Sequence, residues 1–317
     1  MPRRFGIGVD LGATRVRVCV GDEKGRFLWR KSTGMATPSK VELYVEQLIE
    51  RVREGVKHLP SGEHISGIGV ASFGPLDLRK GRMASPSNLP YEDVPIVEPL
   101  REALGARVVL MNDANAAALG ERTYGAGKKD ENLVYVTIST GIGGGAMVDG
   151  HLLSGKDGNA AEIGHLVVDS LGRLTCGCGR KGHWEAYCSG RNLPNFARVL
   201  AKEDSGGSLE NQLGIERGRV DSATILRRAA EGNRFAVRVA GEMGKLNAVG
   251  IANTVNLYDP SLVTIGGAVA LNNAELVLAP IRKLVPEYAI NRPPRIILTP
   301  LGDDVGLLGA LCLAFVE

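Results

Sequence analysis

A weak internal repeat constrains the fold of this chain more than any other feature of its sequence. Residues 9–28 read VDLGATRVRVCVGDEKGRFL, and residues 136–153 read VTISTGIGGGAMVDGHLL. Both segments have the order strand, Gly/Thr turn, strand, turn, strand, with stretches of the residue alternation that is typical of strands. Because a repeated unit of this kind builds a repeated structure, we expect two similar α/β halves that face each other.

Helical and buried-strand patterns follow each copy of the repeat, as two α/β halves require. In the helical segments apolar residues recur at intervals of three and four, and the strands are short apolar runs bounded by turns. The expected helices are 41–59, 116–124, 192–202, 222–231, 234–257, 275–288 and a last one from 306, and the expected buried strands are 65–71, 107–111, 262–265 and 295–299.

Three segments have the composition of turns and loops. They are the Pro-rich segment 86–99, the Gly-rich segment 139–145 and the polar segment 205–218. We expect the domain boundary near 120–128 and the C-terminal helix to cross back to the first half. The prediction is a small domain of residues 1–120 plus 303–317 and a large domain of residues 121–302.

The length and composition are those of an ordinary globular protein. The 317 residues suffice for two domains, and 44% of them are hydrophobic and 23% charged. A net charge of +3 is too small to indicate binding to nucleic acid or to an anionic membrane. Five cysteines, an odd number, argue against a secreted disulfide framework. With no signal-peptide pattern, and with 305–316 as the longest apolar run, we expect a cytoplasmic protein.

Residues 162–185, EIGHLVVDSLGRLTCGCGRKGHWE, place two histidines and two cysteines between two glutamates. Four borderline-soft ligands in a compact Gly-rich segment are what a closed tetrahedral zinc site needs. A chance cluster is the alternative. We call residues 165–183 the metal knuckle and expect it to hold Glu162, His165 and Glu185 toward a ligand. The candidate metal ligands are His165, Cys176, Cys178 and His183.

Glycine-bearing turns follow three strands and can face an anion or a base. The turn 10–14, DLGAT, offers backbone N–H groups and a hydroxyl to phosphates, and Asp10 can orient a hydrated Mg²⁺; a plain hairpin turn is the alternative. Segment 137–145, TISTGIGGG, is similar but precedes a strand, so it is a poor dinucleotide-binding fingerprint. The turn 266–268 suits an adenine ring or simply joins a strand to a helix. The absence of a P-loop motif excludes a P-loop NTPase.

Asn112 and Asp113 stand where a buried strand is expected to end and a helix to begin, which is where α/β sheets present their ligands. Asp113 can take the proton from a hydroxyl that attacks a phosphate, and we expect the helix N-terminus to keep it ionised. N-capping is the alternative role. A set of donors and acceptors that suits a polyol is formed by Asn88, Asn112, Glu162, His165 and Glu185.

These motifs, in this order and at this spacing, resemble the ROK family of sugar kinases, named for repressors, open reading frames and kinases. The resemblance implies an α/β fold of two actin-like (ribonuclease H-like) domains with a cleft between them. It also implies an ATP:hexose 6-phosphotransferase of carbohydrate metabolism, of the glucokinase or hexokinase type, with ATP, Mg²⁺ and a structural Zn²⁺. The matching motifs are VDLGAT (9–14), SFGPLD (72–77), SNLP (87–90), NDANAAA (112–118), STGIGGG (139–145), EIGH (162–165), CGCGRKGHWE (176–185) and TIGGA (264–268).

The resemblance also implies roles for individual positions. Asp113 would be the catalytic base on the sugar hydroxyl. The sugar would be held by Gly74, Asn88, Asn112, Asp113, Glu162, His165 and Glu185. The phosphates and Mg²⁺ would be served by Asp10, Gly12, Ala13, Thr14, Arg15, Thr140 and Gly141, the adenosine by Gly266 and Gly267, and the zinc ion by His165, Cys176, Cys178 and His183.

Two motifs depart from the family pattern. The usual DxGGTK reads DLGATR here, with Ala13 for glycine and Arg15 for lysine. The last zinc ligand is usually cysteine, and here it is His183, with Cys188 as the alternative; imidazole is a normal zinc ligand, so we expect two cysteines and two histidines. The resemblance implies transfer to the 6-hydroxyl of glucose or a related hexose, with fructose, mannose or an amino sugar as the alternatives. It also implies a homo-oligomer, a dimer or a tetramer.

A sugar-responsive repressor of the same family is the alternative function. Such regulators carry an added N-terminal DNA-binding segment, whereas the first strand is expected to begin at Phe5 here. The intact ND and ExGH motifs also favour catalysis. We therefore expect an enzyme whose partners are a hexose and ATP, without a nucleic-acid or membrane partner.

Overall fold

The computed structural model describes residues 3–86, 88–203, 207–215 and 220–316. These residues form strands and helices that are numbered in chain order. The strands are β1 (Phe5–Leu11), β2 (Arg15–Asp22), β3 (Phe27–Gly34), β4 (Ile65–Ser72), β5 (Leu76–Asp77), β6 (Arg82–Ala84), β7 (Asp93–Pro95), β8 (Val108–Asn112), β9 (Leu133–Ile138), β10 (Ile142–Val148), β11 (His151–Leu152), β12 (Leu262–Gly266) and β13 (Arg295–Leu298). The helices are α1 (Val41–Val56), α2 (Val97–Leu104), α3 (Asp113–Thr123), α4 (Glu185–Cys188), α5 (Leu193–Glu203), α6 (Leu209–Leu213), α7 (Ser222–Ala230), α8 (Arg234–Tyr258), α9 (Ala268–Asn272), α10 (Ala274–Tyr288) and α11 (Val305–Leu313), with short 3₁₀ helices at Ile163–His165 and Gly302–Asp304.

Two five-stranded sheets share one topology. The strand order is β3-β2-β1-β4-β8 in the first sheet and β11-β10-β9-β12-β13 in the second. In each sheet the first three strands in sequence form an antiparallel meander. The other two strands extend the sheet in parallel from the first strand of that meander. The repeat in the sequence thus corresponds to two halves with the same sheet, and the α/β class is confirmed.

The position of a strand in its sheet explains its residue pattern. β1 is central, and six of its seven residues are buried, as expected for a strand that is covered on both faces. β3 lies at the sheet edge, and its sequence FLWRKSTG has only exposed and half-buried residues. Charged residues on an edge strand oppose unwanted pairing with another chain.

The last helix, α11, packs against β1, β4 and α3, all in the first half. Glycines permit this close approach. A Cβ on Gly69 would lie 1.9 Å from the carbonyl oxygen of Ala310, and a Cβ on Gly309 would lie 2.0 Å from that of Ala116. The domain bounds themselves stay a prediction.

Two predicted loops contain regular structure. The Pro-rich segment 86–99 includes β7 and the start of α2. Pro95 ends a strand at the edge of the small β5-β6-β7 sheet. Pro99 lies in the first turn of α2, where a backbone N–H would have no hydrogen-bond acceptor within the helix, so proline is tolerated there. The Gly-rich turn is shorter than 139–145, because β10 already begins at Ile142.

The polar segment 205–218 is also not simply an exposed loop. It contains α6, in which Leu209 and Leu213 are buried in the core of the second half. Two apolar residues four apart give too short a pattern for a helix to be recognised from sequence. Residues 205, 206 and 216–218 lie outside the described residues.

The longest helix, α8, has 25 residues and packs against α7 and α10. It carries charged side chains, among them Glu242 and Lys245, along its length. Within the described ranges, no helix is both long and apolar enough to cross a membrane.

Candidate active site

A cleft of about 370 Å³ lies between the two halves. Its walls are built by β1 and β2, by β9, by the turn after β12, and by the first residues of α3 and α11. The predicted site residues that line it are Asp10, Arg15, Asp113 and Gly267. Because two helices of nine or more residues begin at this cleft, the positive ends of their dipoles favour an anion there.

Asn112 ends β8 and caps α3. Its side-chain Oδ1 accepts hydrogen bonds from the backbone N–H groups of Ala114 and Asn115, at 3.0 and 3.2 Å. Asp113 is the first residue of α3, and its Oδ1 accepts from the same Ala114 N–H at 2.8 Å. The capping role that was the alternative for Asp113 is therefore carried mainly by Asn112, which leaves the Nδ2 donor of Asn112 for other partners.

Burial raises the pKa of Asp113 to about 7, and the nearby carboxylates of Asp10 and Glu162 add to the rise. The N–H of Ala114 acts in the opposite direction and is outweighed. The helix N-terminus therefore does not keep the pKa of Asp113 at its ordinary value, because burial outweighs it. A carboxylate whose pKa lies near 7 suits a general base, because it can accept a proton at neutral pH and release it again.

Asp10 forms an ion pair with Arg17, which lies opposite it in the β1–β2 register. Arg17 donates to Asp10 Oδ2 through Nε at 2.8 Å and also through Nη2. Its Nη1 donates to the carbonyl oxygen of Asp303, at 2.5 Å, in the 3₁₀ turn before α11. This pair joins the end of β1 to the N-terminus of α11 across one wall of the cleft.

The turn between β1 and β2 is held by backbone hydrogen bonds. The N–H of Gly12 donates to the carbonyl of Arg15 at 2.9 Å, and the N–H of Met35 donates to that of Thr14 at 2.9 Å. Ala13 is half-buried and Thr14 is exposed. The phosphate-binding roles of Gly12, Ala13 and Thr14 stay predictions.

The turn between β9 and β10 is built around Glu185. Glu185 Oε2 accepts from the N–H of Ile142 at 2.9 Å, and a Cβ on Gly141 would lie 2.5 Å from the same oxygen. Glycine at 141 is therefore explained by the approach of Glu185. Thr140 is exposed in this turn. The phosphate-binding roles of Thr140 and Gly141 stay predictions.

Gly266 and Gly267 follow one another at the end of β12. A Cβ on Gly266 would lie 2.5 Å from the hydroxyl of Tyr135, and one on Gly267 would lie 2.7 Å from Thr137 Oγ1. Gly267 also has a φ of +87°, which favours glycine. The two glycines thus bring the backbone against β9, and Gly267 lines the cleft; their adenosine-binding roles stay predictions.

Gly74 and Asn112, both predicted to bind the sugar, lie close together. A Cβ on Gly74 would lie 4.0 Å from Asn112 Nδ2 and 3.9 Å from Asn159 Oδ1. Asn159 belongs to the loop after β11, so both halves contribute to this group. Asn88 is exposed in the connection between β6 and β7, and its role stays a prediction.

Both glutamates that flank the metal knuckle contact it. His165 Nε2 lies 3.7 Å from Glu162 Oε2, and Cys176 Sγ lies 3.6 Å from Glu185 Oε1. Glu162 is also near Asp113, because its charge is one of those that raise the pKa of Asp113 after burial and Asp10. The knuckle therefore contacts both glutamates that are predicted to bind the sugar, and their sugar-binding roles stay predictions.

The four candidate metal ligands form one cluster. His165 Nδ1 lies 3.2 Å from His183 Nδ1 and 3.8 Å from Cys176 Sγ, and Cys178 Sγ lies 3.3 Å from His183 Nδ1. All four ligand atoms lie within 4.8 Å of one another. Ligand atoms around a tetrahedral zinc ion with ordinary bond lengths are about 3.3–3.8 Å apart. The geometry of the cluster fits a single zinc ion.

The chemical state of the cluster residues also fits a cation. Burial lowers the pKa of His183, which favours the neutral imidazole that a metal requires. Burial raises the pKa of the Cys176 thiol to about 12, so its thiolate needs a cation beside it. Cys188, the alternative fourth ligand, lies in the core instead, and its Sγ donates to the Met243 carbonyl at 3.5 Å.

Several residues of the site were not found from the sequence. Arg17 could have been found from strand register, since it shares a face of β2 with Arg15. Asn159 and Asp303 gave no signal, because their places depend on how the two halves and α11 pack. The additional residues that line the cleft include Arg17, Tyr135, Thr137, Ser139 and Asp303.

Comparisons with known proteins agree with this architecture. The sequence profile of the ROK family matches residues 6–316. A glucokinase of Pyrobaculum calidifontis is 36% identical over 309 residues, which cover 98% of this chain and 94% of that protein. The crystal structure of a ROK hexokinase from Thermus thermophilus has a TM-score of 0.81 and 34% identity, and it covers 97% of this chain and 96% of its own.

A ROK family glucokinase from Streptomyces griseus, solved in complex with glucose and AMPPNP, has a TM-score of 0.77 and 33% identity, with 98% of both chains covered. These structures confirm the predicted fold of two actin-like domains. Since the profile and the relatives match nearly the whole sequence, this chain belongs to the ROK family.

Proposed function

We propose that this protein is an ATP-dependent glucokinase, which transfers the γ-phosphoryl group of ATP to the 6-hydroxyl of glucose. Glucokinases that are 33–36% identical over nearly the full chain support this activity and confirm the predicted sugar kinase. The observation that carries the proposal is the position of Asp113. This carboxylate lines the cleft together with Asp10 and Gly267, and it follows Asn112, which lies beside Gly74.

Asp113 accepts the proton of the sugar 6-hydroxyl in this proposal. As the proton leaves, the hydroxyl oxygen forms a bond to the γ-phosphorus, and the bond from that phosphorus to the bridging oxygen breaks, which releases ADP. A pKa of about 7 leaves a large fraction of the carboxylate ionised at neutral pH while keeping it basic enough to take a proton.

Acidic and amide side chains hold the sugar. Glu162, Glu185 and the Oδ1 of Asn159 accept hydrogen bonds from hydroxyl groups, and the Nδ2 group of Asn112 donates to a hydroxyl oxygen. His165 contacts Glu162 through Nε2 while Nδ1 faces the metal cluster, so its ring orientation is fixed from one side. Paired donors and acceptors of this kind match the vicinal hydroxyls of a hexose.

The phosphates lie between the N-termini of α3 and α11, and the adenosine lies against Gly266 and Gly267. Mg²⁺ neutralises the charge of the phosphates and of the leaving ADP in such transfers. Asp10, which lines the same cleft as Asp113, would be the carboxylate that faces the hydrated ion. The residues of this chain position the two substrates and supply fixed charge, and these are the main requirements of phosphoryl transfer.

We assign a structural zinc ion to His165, Cys176, Cys178 and His183, because their atomic separations fit one tetrahedral ion. Four protein ligands leave no open coordination position, so the ion supplies stability to the loop and not chemistry. The knuckle holds Glu162 through His165, and Glu185 follows two residues after His183 as the first residue of α4.

A hexose panel tests the proposed function. The purified protein is incubated with Mg²⁺, ATP and either glucose, fructose, mannose or glucosamine, and ADP release is coupled to a spectrophotometric signal. We expect the highest kcat/KM with glucose, and a product that glucose-6-phosphate dehydrogenase oxidises. A protein that binds glucose and AMPPNP but phosphorylates none of the four sugars would contradict the proposal.

The resemblance also implies a cytoplasmic homo-oligomer, a dimer or a tetramer, and this remains a proposal. The oligomeric state is the part of this proposal that can be measured on the purified protein. Analytical ultracentrifugation of the purified protein, with and without glucose, measures it directly.

A further inference from the structure

The protein contacts of Arg17 do not fully explain why its side chain lies in the cleft. Three of its nitrogens are engaged, two with Asp10 Oδ2 and one with the Asp303 carbonyl. Yet the pair is open to the cleft, with 29% of the Arg17 side chain and 18% of the Asp10 side chain exposed. Both residues line the cleft. A guanidinium held in this way is fixed in position while part of it stays accessible to a ligand.

The carboxylates in the cleft would repel a phosphate group unless a cationic hydrogen-bond donor lies beside it. The side chains of Asp10, Asp113 and Asp303 bring three carboxylates to the wall. Among the described residues that line it, only Arg15 and Arg17 carry positive charge. A triphosphate entering this space meets acidic groups unless an arginine faces it, because like charges repel strongly in a partly desolvated cleft.

Arg17 is better placed than Arg15 to meet the transferred phosphoryl group. It lies against Asp10, whose charge is close enough to Asp113 to raise the pKa of that carboxyl after burial. It also lies under the first turn of α11, where a Cβ on Gly306 would be 3.7 Å from Arg17 Nη2. The guanidinium of Arg17 therefore lies near both Asp113 and the N-terminus of α11. Arg15, by contrast, is exposed at the start of β2.

We propose that Arg17 binds the terminal phosphoryl group of the nucleoside triphosphate, exchanging its contacts with Asp10 for phosphate oxygens. The planar guanidinium presents two N–H groups to a tetrahedral phosphate as well as to a carboxylate, so the exchange keeps its hydrogen bonds. Asp10 is released at the same time and is free to face the hydrated metal of the nucleotide. This inference rests on the proposed kinase function and adds a phosphate-binding residue to it.

A second Arg–Asp pair offers a matched control. Arg30 of β3 pairs with Asp304, so it also joins the β2–β3 ribbon to the N-terminus of α11. Its side chain is 56% exposed, and Arg30 is not among the described residues that line the cleft. If both ion pairs were only structural, replacing Arg17 and replacing Arg30 should have similar effects on the protein. The loss of a phosphate contact should weaken nucleotide binding only when Arg17 is replaced.

The test compares Arg17→Met, Arg17→Lys and Arg30→Met with the unmodified protein. Isothermal titration calorimetry with Mg²⁺ and glucose present measures the affinities for AMPPNP and for ADP, which differ by the terminal group. We expect Arg17→Met to weaken AMPPNP binding about 30-fold and ADP binding less than about 3-fold, and to lower kcat about 100-fold or more. Arg17→Lys should be intermediate, because it keeps the charge and loses the fork.

Arg30→Met should leave both nucleotide affinities within about 3-fold. The proposal is overturned if Arg17→Met weakens AMPPNP and ADP equally, or if it behaves as Arg30→Met does. If Arg17→Met does not fold, the ratio of the two affinities in Arg17→Lys decides in the same way. These binding ratios need no turnover, so a failure of the kinase assay in the unmodified protein is recognised separately.

Discussion

Opposing effects set the pKa of the Asp113 carboxylate. The N–H of Ala114 at the start of α3 favours the charged form, while burial, Asp10 and Glu162 disfavour it, and the second group prevails. The position of Asp113 at a strand-to-helix junction could be predicted from sequence. Its pKa could not, because the residues that set it come from distant parts of the chain and from the other half of the molecule.

The raised pKa of Asp113 predicts how activity depends on pH. A base must be ionised to accept a proton, and kcat/KM reports the ionisation of the free enzyme. With a pKa of about 7, kcat/KM for glucose should rise with pH below 7 and become level above it. Coupled assays between pH 5.5 and 9 in one mixed buffer, at about constant ionic strength, measure this profile. A flat profile down to pH 5.5 would contradict the assigned environment.

The same shift predicts a gain in stability when Asp113 is replaced. The folded state holds the proton more tightly than the unfolded chain does, so the charge destabilises the fold progressively as pH rises from 4 to 7. Asp113→Asn carries no charge, and we expect it to raise the free energy of unfolding by about 1–3 kcal/mol at pH 8. Urea unfolding at pH 8 and pH 4 measures the effect, which should nearly vanish at the lower pH.

At the scale of elements, the metal knuckle is the part whose sequence pattern was most informative. Its ligand spacing predicted a cluster, and the four residues do lie together. The pattern could not show that His165 and Cys176 reach Glu162 and Glu185, because those contacts depend on the 3₁₀ turn at Ile163–His165 and on the short helix α4.

The fourth metal ligand can be tested by exchange. We expect His183→Cys to retain about one zinc ion per chain, and His183→Ala to weaken zinc binding by on the order of 100-fold. Loss of the ion should also weaken glucose binding about 10-fold, because Glu162 and Glu185 lose their support. Metal content by mass spectrometry and glucose affinity by calorimetry are the two readouts. Cys188→Ala is the control, and loss of zinc in that variant would contradict the ligand set.

The packing of α11 against the first sheet gives a second prediction about elements. A Cβ on Gly69 would lie 1.9 Å from the Ala310 carbonyl, so we expect Gly69→Ala to destabilise the fold by about 3 kcal/mol or more. Gly241 of α8 has no atom within 4 Å of its Cβ position, so Gly241→Ala should be stabilising by about 0.5–1 kcal/mol. Thermal unfolding of both variants measures the contrast. A fully stable Gly69→Ala protein would contradict this packing.

At the scale of the whole molecule, the internal repeat predicted two sheets that have the same topology. It did not predict the short helices α2 and α6, since each depends on buried contacts that a brief pattern cannot show. The cleft itself is a property of the assembled halves. Asp10 and Asp113 come from the first half and Gly267 from the second, so both halves are needed to line it.

The proposed function requires Asp113 to act as the base of a sugar kinase, and Asp113→Asn removes that base. We expect kcat for glucose phosphorylation to fall by about 10³-fold or more, while the calorimetric Kd for glucose changes less than about 5-fold. Asp303→Asn, which also removes a carboxylate of the cleft, is the control and should keep kcat within about 10-fold. A near-normal kcat in Asp113→Asn, with the protein folded and glucose bound, would show that Asp113 is not the base.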